Sequence, residues 1–256
     1  MNPHRPRKRF GQHFLHDANV VARLVAAIRP QPDDCLVEIG PGEGALTAPL
    51  LEQLHRLEVI EIDRDLAQRL RAAYPAERLV VHEADALRFD FGCLPAGLRI
   101  VGNLPYNVST PLLFHLAGFA DRVRDMHFML QREVVERMVA RPSTPAYGRL
   151  SVMLQTRFRL AMLFRVAPGA FRPPPKVESA VVRLTPLEPS ARPAVDFERL
   201  SRLVAGAFSA RRKKLKNALP LDAAGFTALA LDPNLRPENL SPDDYVRVAQ
   251  YIAQNS

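Results

Sequence analysis

The chain has 256 residues, 47% hydrophobic and 24% charged, which excludes a disordered or fibrous protein and fits a folded one with a full core. Its formal net charge of +8 is mostly arginine, with lysine only at Lys8, Lys176, Lys213, Lys214 and Lys216. Arginine suits bidentate phosphate contacts and stacking on bases, so nucleic acid is the expected partner. Cys35 and Cys93 have no ligand-like spacing and no apolar run approaches the roughly 20 residues of a membrane span, which argues against a disulfide framework, a zinc site or a membrane anchor and for a reducing cytoplasm.

The chain begins with a basic arm, Arg7-Lys8-Arg9, that runs into Phe10-Gly11-Gln12-His13 rather than an apolar signal core. From Asp17 to Ile28 the apolar residues Val20, Val21, Leu24, Val25 and Ile28 predict a helix, ended by Pro30 and Pro32. Cys35 to Ile39 reads as a buried strand running into Gly40-Pro41-Gly42-Glu43-Gly44-Ala45, and Leu46, Leu50, Leu51 and Leu54 continue as a helix. Strand, glycine-rich turn and helix open a nucleotide-binding α/β unit.

A second strand, Leu57 to Ile60, ends at Glu61, placed where such folds offer a carboxylate to ribose hydroxyls. The turn's spacing also fits a nicotinamide dinucleotide, with Ala45 in place of the last glycine. The third strand, Leu79 to His82, ends at Glu83-Ala84-Asp85, and an acid there can accept an adenine amine, which favours S-adenosyl-L-methionine.

The fourth strand, Leu98 to Gly102, passes into Asn103-Leu104-Pro105-Tyr106, which reads as a loop shaped to hold a flat heterocycle: an amide acceptor, a fixed backbone and an aromatic face. A capped strand end before a helix is the alternative. A helix over Pro111 to Gly118, a strand over Met126 to Leu130 and a charged helix from Arg132 to Val139 follow. Tyr147 to Ser151 starts another helix, and Ala161 to Val166 and Val177 to Leu184 read as strands. Between the last two lies Phe171-Arg172-Pro173-Pro174-Pro175-Lys176, a stiff segment expected to present Phe171 and its cations. Alternating strands and helices imply a parallel sheet with ligands at its carboxyl edge.

Pro186 to Asp196 reads as a linker. Beyond it Phe197, Leu200, Leu203, Val204 and Phe208 form a helical face, and then comes the cationic run Arg211-Arg212-Lys213-Lys214, read as a phosphate-backbone contact. A last helix starts with Ser241 as N-cap and Pro242 in first position. The expected division is residues 1–190, a methyltransferase domain, and 191–256, a small all-helical domain touching RNA.

Several blocks in this order resemble the ribosomal RNA adenine dimethyltransferases: Arg7 to Leu15, Val37 to Gly42, Val59 to Asp63, Gly102 to Asn107 with Ser109-Thr110-Pro111, Met126 to Gln131, Ala146 to Ser151, and Phe171 to Val177. The resemblance covers essentially the whole chain and is strongest for the branch acting on adjacent adenosines near the 3′ end of 16S rRNA. It implies a Rossmann-like fold, dimethylation of two adenosine amines in the assembling small subunit, and no metal; a cytoplasmic monomer is expected. It places S-adenosyl-L-methionine at His13, Leu15, Gly40, Gly42, Glu61, Asp85 and Asn103, with Asn103, Leu104, Pro105, Tyr106 and Phe171 holding the base. Arg7, Lys8, Arg9, Lys176, Arg211, Arg212, Lys213 and Lys214 would meet RNA. The family usually has Asn where this chain has His13. Alternatives are an enzyme acting on large-subunit rRNA or DNA, and an RNA-binding assembly factor in which methylation is secondary.

Overall fold

The computed structural model describes residues 12–255, so Arg7, Lys8 and Arg9 lie outside the described residues. In chain order the elements are β1 (Phe14–Leu15), α1 (Ala18–Ile28), β2 (Leu36–Ile39), α2 (Thr47–Leu51), β3 (Leu57–Glu61), α3 (Arg64–Ala73), β4 (Leu79–Glu83), β5 (Leu98–Asn103), α4 (Ser109–Ala117), β6 (Val123–Gln131) and α5 (Arg132–Met138). They continue with α6 (Arg149–Gln155), β7 (Phe158–Val166), β8 (Phe171–Arg172), β9 (Ser179–Pro186), α7 (Phe197–Ser209), α8 (Leu215–Ala218), α9 (Ala223–Ala228) and α10 (Pro242–Gln254). No described helix is long and apolar enough to cross a membrane.

Seven strands form one sheet in the order β4-β3-β2-β5-β6-β9-β7. The pairs from β4 to β6 are parallel and β9 lies antiparallel to β6. The chain winds outward from β2 to β4, returns to β5 on the other side of β2, and so leaves a switch point at the carboxyl ends of β2 and β5. Side-chain caps set several helix starts. The Asp17 carboxylate accepts N–H groups of Asn19 and Val20 at α1, Asp63 does so for Asp65 at α3, and Ser241 and Asp244 form a reciprocal box at α10.

The chain divides into two compact units. One runs through Val135 and takes in Ala161–Pro186; the other comprises Glu136–Leu160 and everything from Leu187 on. The helical unit is therefore larger than residues 191–256. Its extra segment is held by long-range contacts within that unit: the Tyr147 hydroxyl donates to the Leu240 carbonyl at 2.9 Å, and Arg211 donates to the Pro145 carbonyl at 3.0 Å.

Two features of β5 position its carboxyl end. At its start Arg99 is buried, with Nε and Nη2 donating to the two carboxylate oxygens of Asp125 at 2.9 and 2.8 Å and Nη1 to Asp34 at 2.6 Å. Near its end, a Cβ on Gly102 would stand 2.5 Å from the carbonyl oxygen of Ile39 on β2. Only a residue without a side chain lets the two strands close there. Gly102→Ala is expected to lower the unfolding free energy by about 1–3 kcal/mol, read by urea denaturation, because the atom it meets is backbone and cannot rotate away.

Candidate functional site

The ends of β2, β3, β4 and β5 open into a single cavity at the switch point. β2 stops in the turn Gly40-Pro41-Gly42, where both glycines have positive φ, 68° and 59°. At Gly42 a Cβ would also stand 3.0 Å from the Phe14 ring, so the position needs glycine for both shape and space. Gly40 donates its N–H to the Ile60 carbonyl of β3 at 2.9 Å, which fixes the turn over the neighbouring strand.

Acids line this chamber. Glu61, buried at the end of β3, accepts the Gly42 N–H at 3.2 Å and the Asp63 N–H at 2.8 Å. Burial pushes its carboxyl above the usual range, and those two N–H groups offset part of the rise. Asp85 follows β4 and accepts the Leu87 N–H at 2.9 Å. Glu38, on β2, is 2% exposed and accepts the Thr47 hydroxyl at 2.7 Å. Glu43 is the fourth carboxylate of the lining, and the described lining contains no lysine or arginine. In a chain of net charge +8 this is an anionic hollow. It fits a ligand that carries positive charge and lacks phosphate, as S-adenosylmethionine does, better than a dinucleotide, whose pyrophosphate would find no lysine or arginine in the described lining.

At the end of β5 the Asn103 side chain donates through Nδ2 to the His13 main-chain carbonyl at 2.9 Å. A carbonyl only accepts, so the amide nitrogen must face it and Oδ1 is turned away as a free acceptor. Leu104 is buried, and its N–H donates to the Met129 carbonyl at 3.1 Å. The Ser109 hydroxyl reaches the carbonyls of Pro105 at 3.0 Å and Tyr106 at 3.2 Å, folding the loop onto the first turn of α4. The Tyr106 ring is half-buried, its hydroxyl 2.7 Å from the buried Ser179 Oγ at the start of β9. His13 lies beside it with ring centroids 5.5 Å apart, and its Nδ1 donates to the Pro173 carbonyl at 2.7 Å.

The structure brings together His13, Leu15, Gly40, Gly42, Glu61, Asp85, Asn103, Leu104, Pro105 and Tyr106, all of which border this cavity. Phe171 is corrected. Its ring is 2% exposed and packs in the core with Leu15, Val166 and Ala170, leaving no free face for a base. The cause is the antiparallel pairing of β8 with β1, where Phe171 sits opposite Leu15 and the alternation turns it inward and Arg172 outward.

The cations expected to meet RNA are also sorted. Lys176 is exposed in the loop between β8 and β9, and Arg212, Lys213 and Lys214 are exposed in the turn between α7 and α8. Arg211 is instead a structural tie, its Nε donating to Glu238 at 2.5 Å. Sequence reasoning missed Glu38, Phe14 and Ser179 as parts of the site. The available signal for the first was a carboxylate inside an otherwise apolar strand directly before the glycine turn.

A family model described as ribosomal RNA adenine dimethylase matches residues 3–254. The ribosomal RNA small subunit methyltransferase A of Aromatoleum aromaticum is 60% identical, over 100% of this chain and 97% of that protein. The protein of the same name from Thiobacillus denitrificans is 59% identical, over 98% and 99%. Among solved structures, a dimethyladenosine transferase from Plasmodium falciparum shares the fold with TM-score 0.81 at 24% identity, covering 94% of this chain and 98% of that one. The 23S rRNA methyltransferase ErmE superposes with TM-score 0.69 at 25% identity, covering 94% and 100%.

Proposed function

The chain belongs to the ribosomal RNA adenine dimethylase family, and from that membership we propose that it dimethylates the exocyclic amines of two adjacent adenosines near the 3′ end of 16S rRNA, in the bacterial cytoplasm during small-subunit assembly. The observation that carries the reading is one chamber in which a free amide acceptor and an aromatic face adjoin an acid-lined hollow without a cation among its described residues. Relatives near 60% identity that bear the small-subunit name favour this substrate over large-subunit rRNA, named for a structure at 25% identity.

The hollow would hold S-adenosyl-L-methionine through Gly40, Gly42, Glu61 and Asp85, with Leu15 and the end of β5 closing it. That cofactor supplies an electrophilic methyl group on a sulfonium. The chain's own residues prepare the other reactant. An adenine amine is a poor nucleophile because its lone pair is delocalised into the ring. Oδ1 of Asn103 and the carbonyl of Leu104 accept its two hydrogens, which favours a tetrahedral nitrogen with its lone pair free to attack. Tyr106, fixed by Ser179, offers a face to the base. Orientation then supplies much of the acceleration, and no strong base is required because the alkylated nitrogen is acidic. The base must first leave its stack, at a cost of a few kcal/mol that is smaller in a hairpin loop.

The test is incubation of the protein with S-adenosylmethionine and small-subunit particles lacking the modification, followed by mass analysis of nucleosides. Dimethyladenosine at two adjacent positions is expected; unmodified adenosine at both sinks the proposal. Lys176, Arg212, Lys213 and Lys214 would meet the RNA backbone. Charge reversal at Arg212 and Lys213 is expected to weaken RNA binding and to flatten its salt dependence by about one unit of slope for each phosphate that is no longer neutralised, measured by filter binding across salt concentrations.

A further inference from the structure

Two carboxylates of the described cavity lining, Glu38 and Glu61, are almost wholly enclosed, 2% and 4% exposed, with no cation to meet; Glu61 accepts two main-chain N–H groups, whereas Glu38 accepts a single hydroxyl. Its neighbours on every side are neutral or acidic. From α2, Thr47 donates its hydroxyl to Oε2. From β3 comes Glu61, with the Asp63 main chain just beyond it bonded to the Glu61 carboxylate. On β5 the register partner of Glu38 is Val101, while Arg99 at the far end of that strand is held by Asp34 and Asp125. Glu43, Asp85, His13 and Tyr106 complete the titratable groups of the described lining of the same chamber.

An ionised carboxylate in such surroundings is costly unless a positive charge faces it. Two states relieve that cost: a proton on the carboxyl, or a cationic ligand against it. We propose that Glu38 is the receptor for the positive charge of the cofactor and that cofactor binding displaces a proton from it. This rests on the S-adenosylmethionine reading and adds to it a residue and a linkage. The exchange is balanced: the neutral acid loses its proton to solvent, and the resulting carboxylate is neutralised by the cationic ligand.

Burial, with Glu61 adding repulsion, holds the Glu38 carboxyl up at about 7, against the Thr47 hydrogen bond. The sign of the pH effect follows. Below about pH 7 the proton must be removed for binding, so affinity falls as pH falls, approaching tenfold per unit; above that value the group is already ionised and affinity levels off until the cofactor's own α-amino group begins to lose its proton, at about pH 8.

The test is isothermal titration of the full chain with S-adenosylmethionine at several pH values, each in two buffers of different ionisation enthalpy. Expected is release of close to one proton per cofactor near pH 6, where the cofactor's amine stays protonated, falling to near zero by about pH 7.5, with affinity rising between them. Glu38→Gln, which keeps an acceptor for Thr47, is expected to bind more weakly near pH 7.5, with no proton release and no pH slope below it. Wild-type binding without proton release overturns the proposal, whatever the variant does. Release that persists in Glu38→Gln and vanishes in Glu61→Gln also overturns it, by assigning the proton to Glu61. No binding by wild type at any pH would instead defeat the cofactor reading itself.

Discussion

Asn103→Ala is expected to cut methyl transfer to 16S rRNA by about two to three orders of magnitude, the scale for removing one positioned polar group at a reacting centre. Two things are lost together. The acceptor that turns the amine's lone pair outward disappears, and so does the tie from Nδ2 to the His13 carbonyl that orients it. Asn103→Asp separates these effects. It keeps an acceptor but sets a carboxylate oxygen against the His13 carbonyl, so it is expected to remain far below wild type. Single-turnover kinetics on undermethylated particles measures both, with a thermal melt to show that each variant is folded. Near wild-type rates for either would refute the assigned role of the side chain.

Arg99→Met is expected to lower stability by about 3–5 kcal/mol, the cost of removing one partner from a buried ionic cluster. Arg99 is 4% exposed and its guanidinium meets two carboxylates, Asp125 through a fork and Asp34 through Nη1. It also donates to the main-chain carbonyls of Ile28 and Arg29 where α1 ends. Burial alone would favour neutral Arg99, but the two aspartates outweigh it and hold the guanidinium charged. Without it, Asp125 loses its fork, and Asp34 keeps only Arg124 and the Gln31 N–H. Adding Asp34→Asn and Asp125→Asn is expected to recover part of the loss, since it removes the stranded charges. Arg99→Lys is expected to recover little, because an ammonium cannot form the fork. Urea denaturation of these variants decides the matter.

The fold was legible where local pattern and tertiary environment agree. A buried strand, a glycine turn and an apolar-striped helix announce themselves from Leu36 to Leu51, and the acids after β3 and β4 mark strand ends. Less was visible where the partner is remote. The strands β1 and β8 have two residues each and carry no periodicity, so only their pairing reveals that Phe171 faces the core. The helix α3 is mostly polar, with Leu66, Ala67 and Leu70 as its buried face, too few for a clear stripe. The segment from Glu136 to Leu160 joins the helical unit through contacts such as Tyr147 to Leu240, which no local reading supplies.

The candidate site divides the same way. Residues singled out by their position at a strand end border the cavity as expected: Gly40, Glu61, Asp85 and Asn103. Glu38 was not singled out, because a carboxylate in a strand looks the same in sequence whether it is exposed at an edge or sealed beneath a cavity. Ser179 was missed because a serine beginning a strand says nothing of the tyrosine hydroxyl it meets.

The tie from Asn103 ends on the peptide carbonyl of residue 13, an atom that does not depend on which side chain stands there. The anchoring of the amide is thus insulated from substitution at that position. This chain can carry histidine at position 13 without surrendering the tie. What the imidazole adds is separate, a hydrogen bond to Pro173 and a ring beside Tyr106. A substitution scan at position 13 should therefore be far more forgiving than one at position 103, although the two residues share a single hydrogen bond.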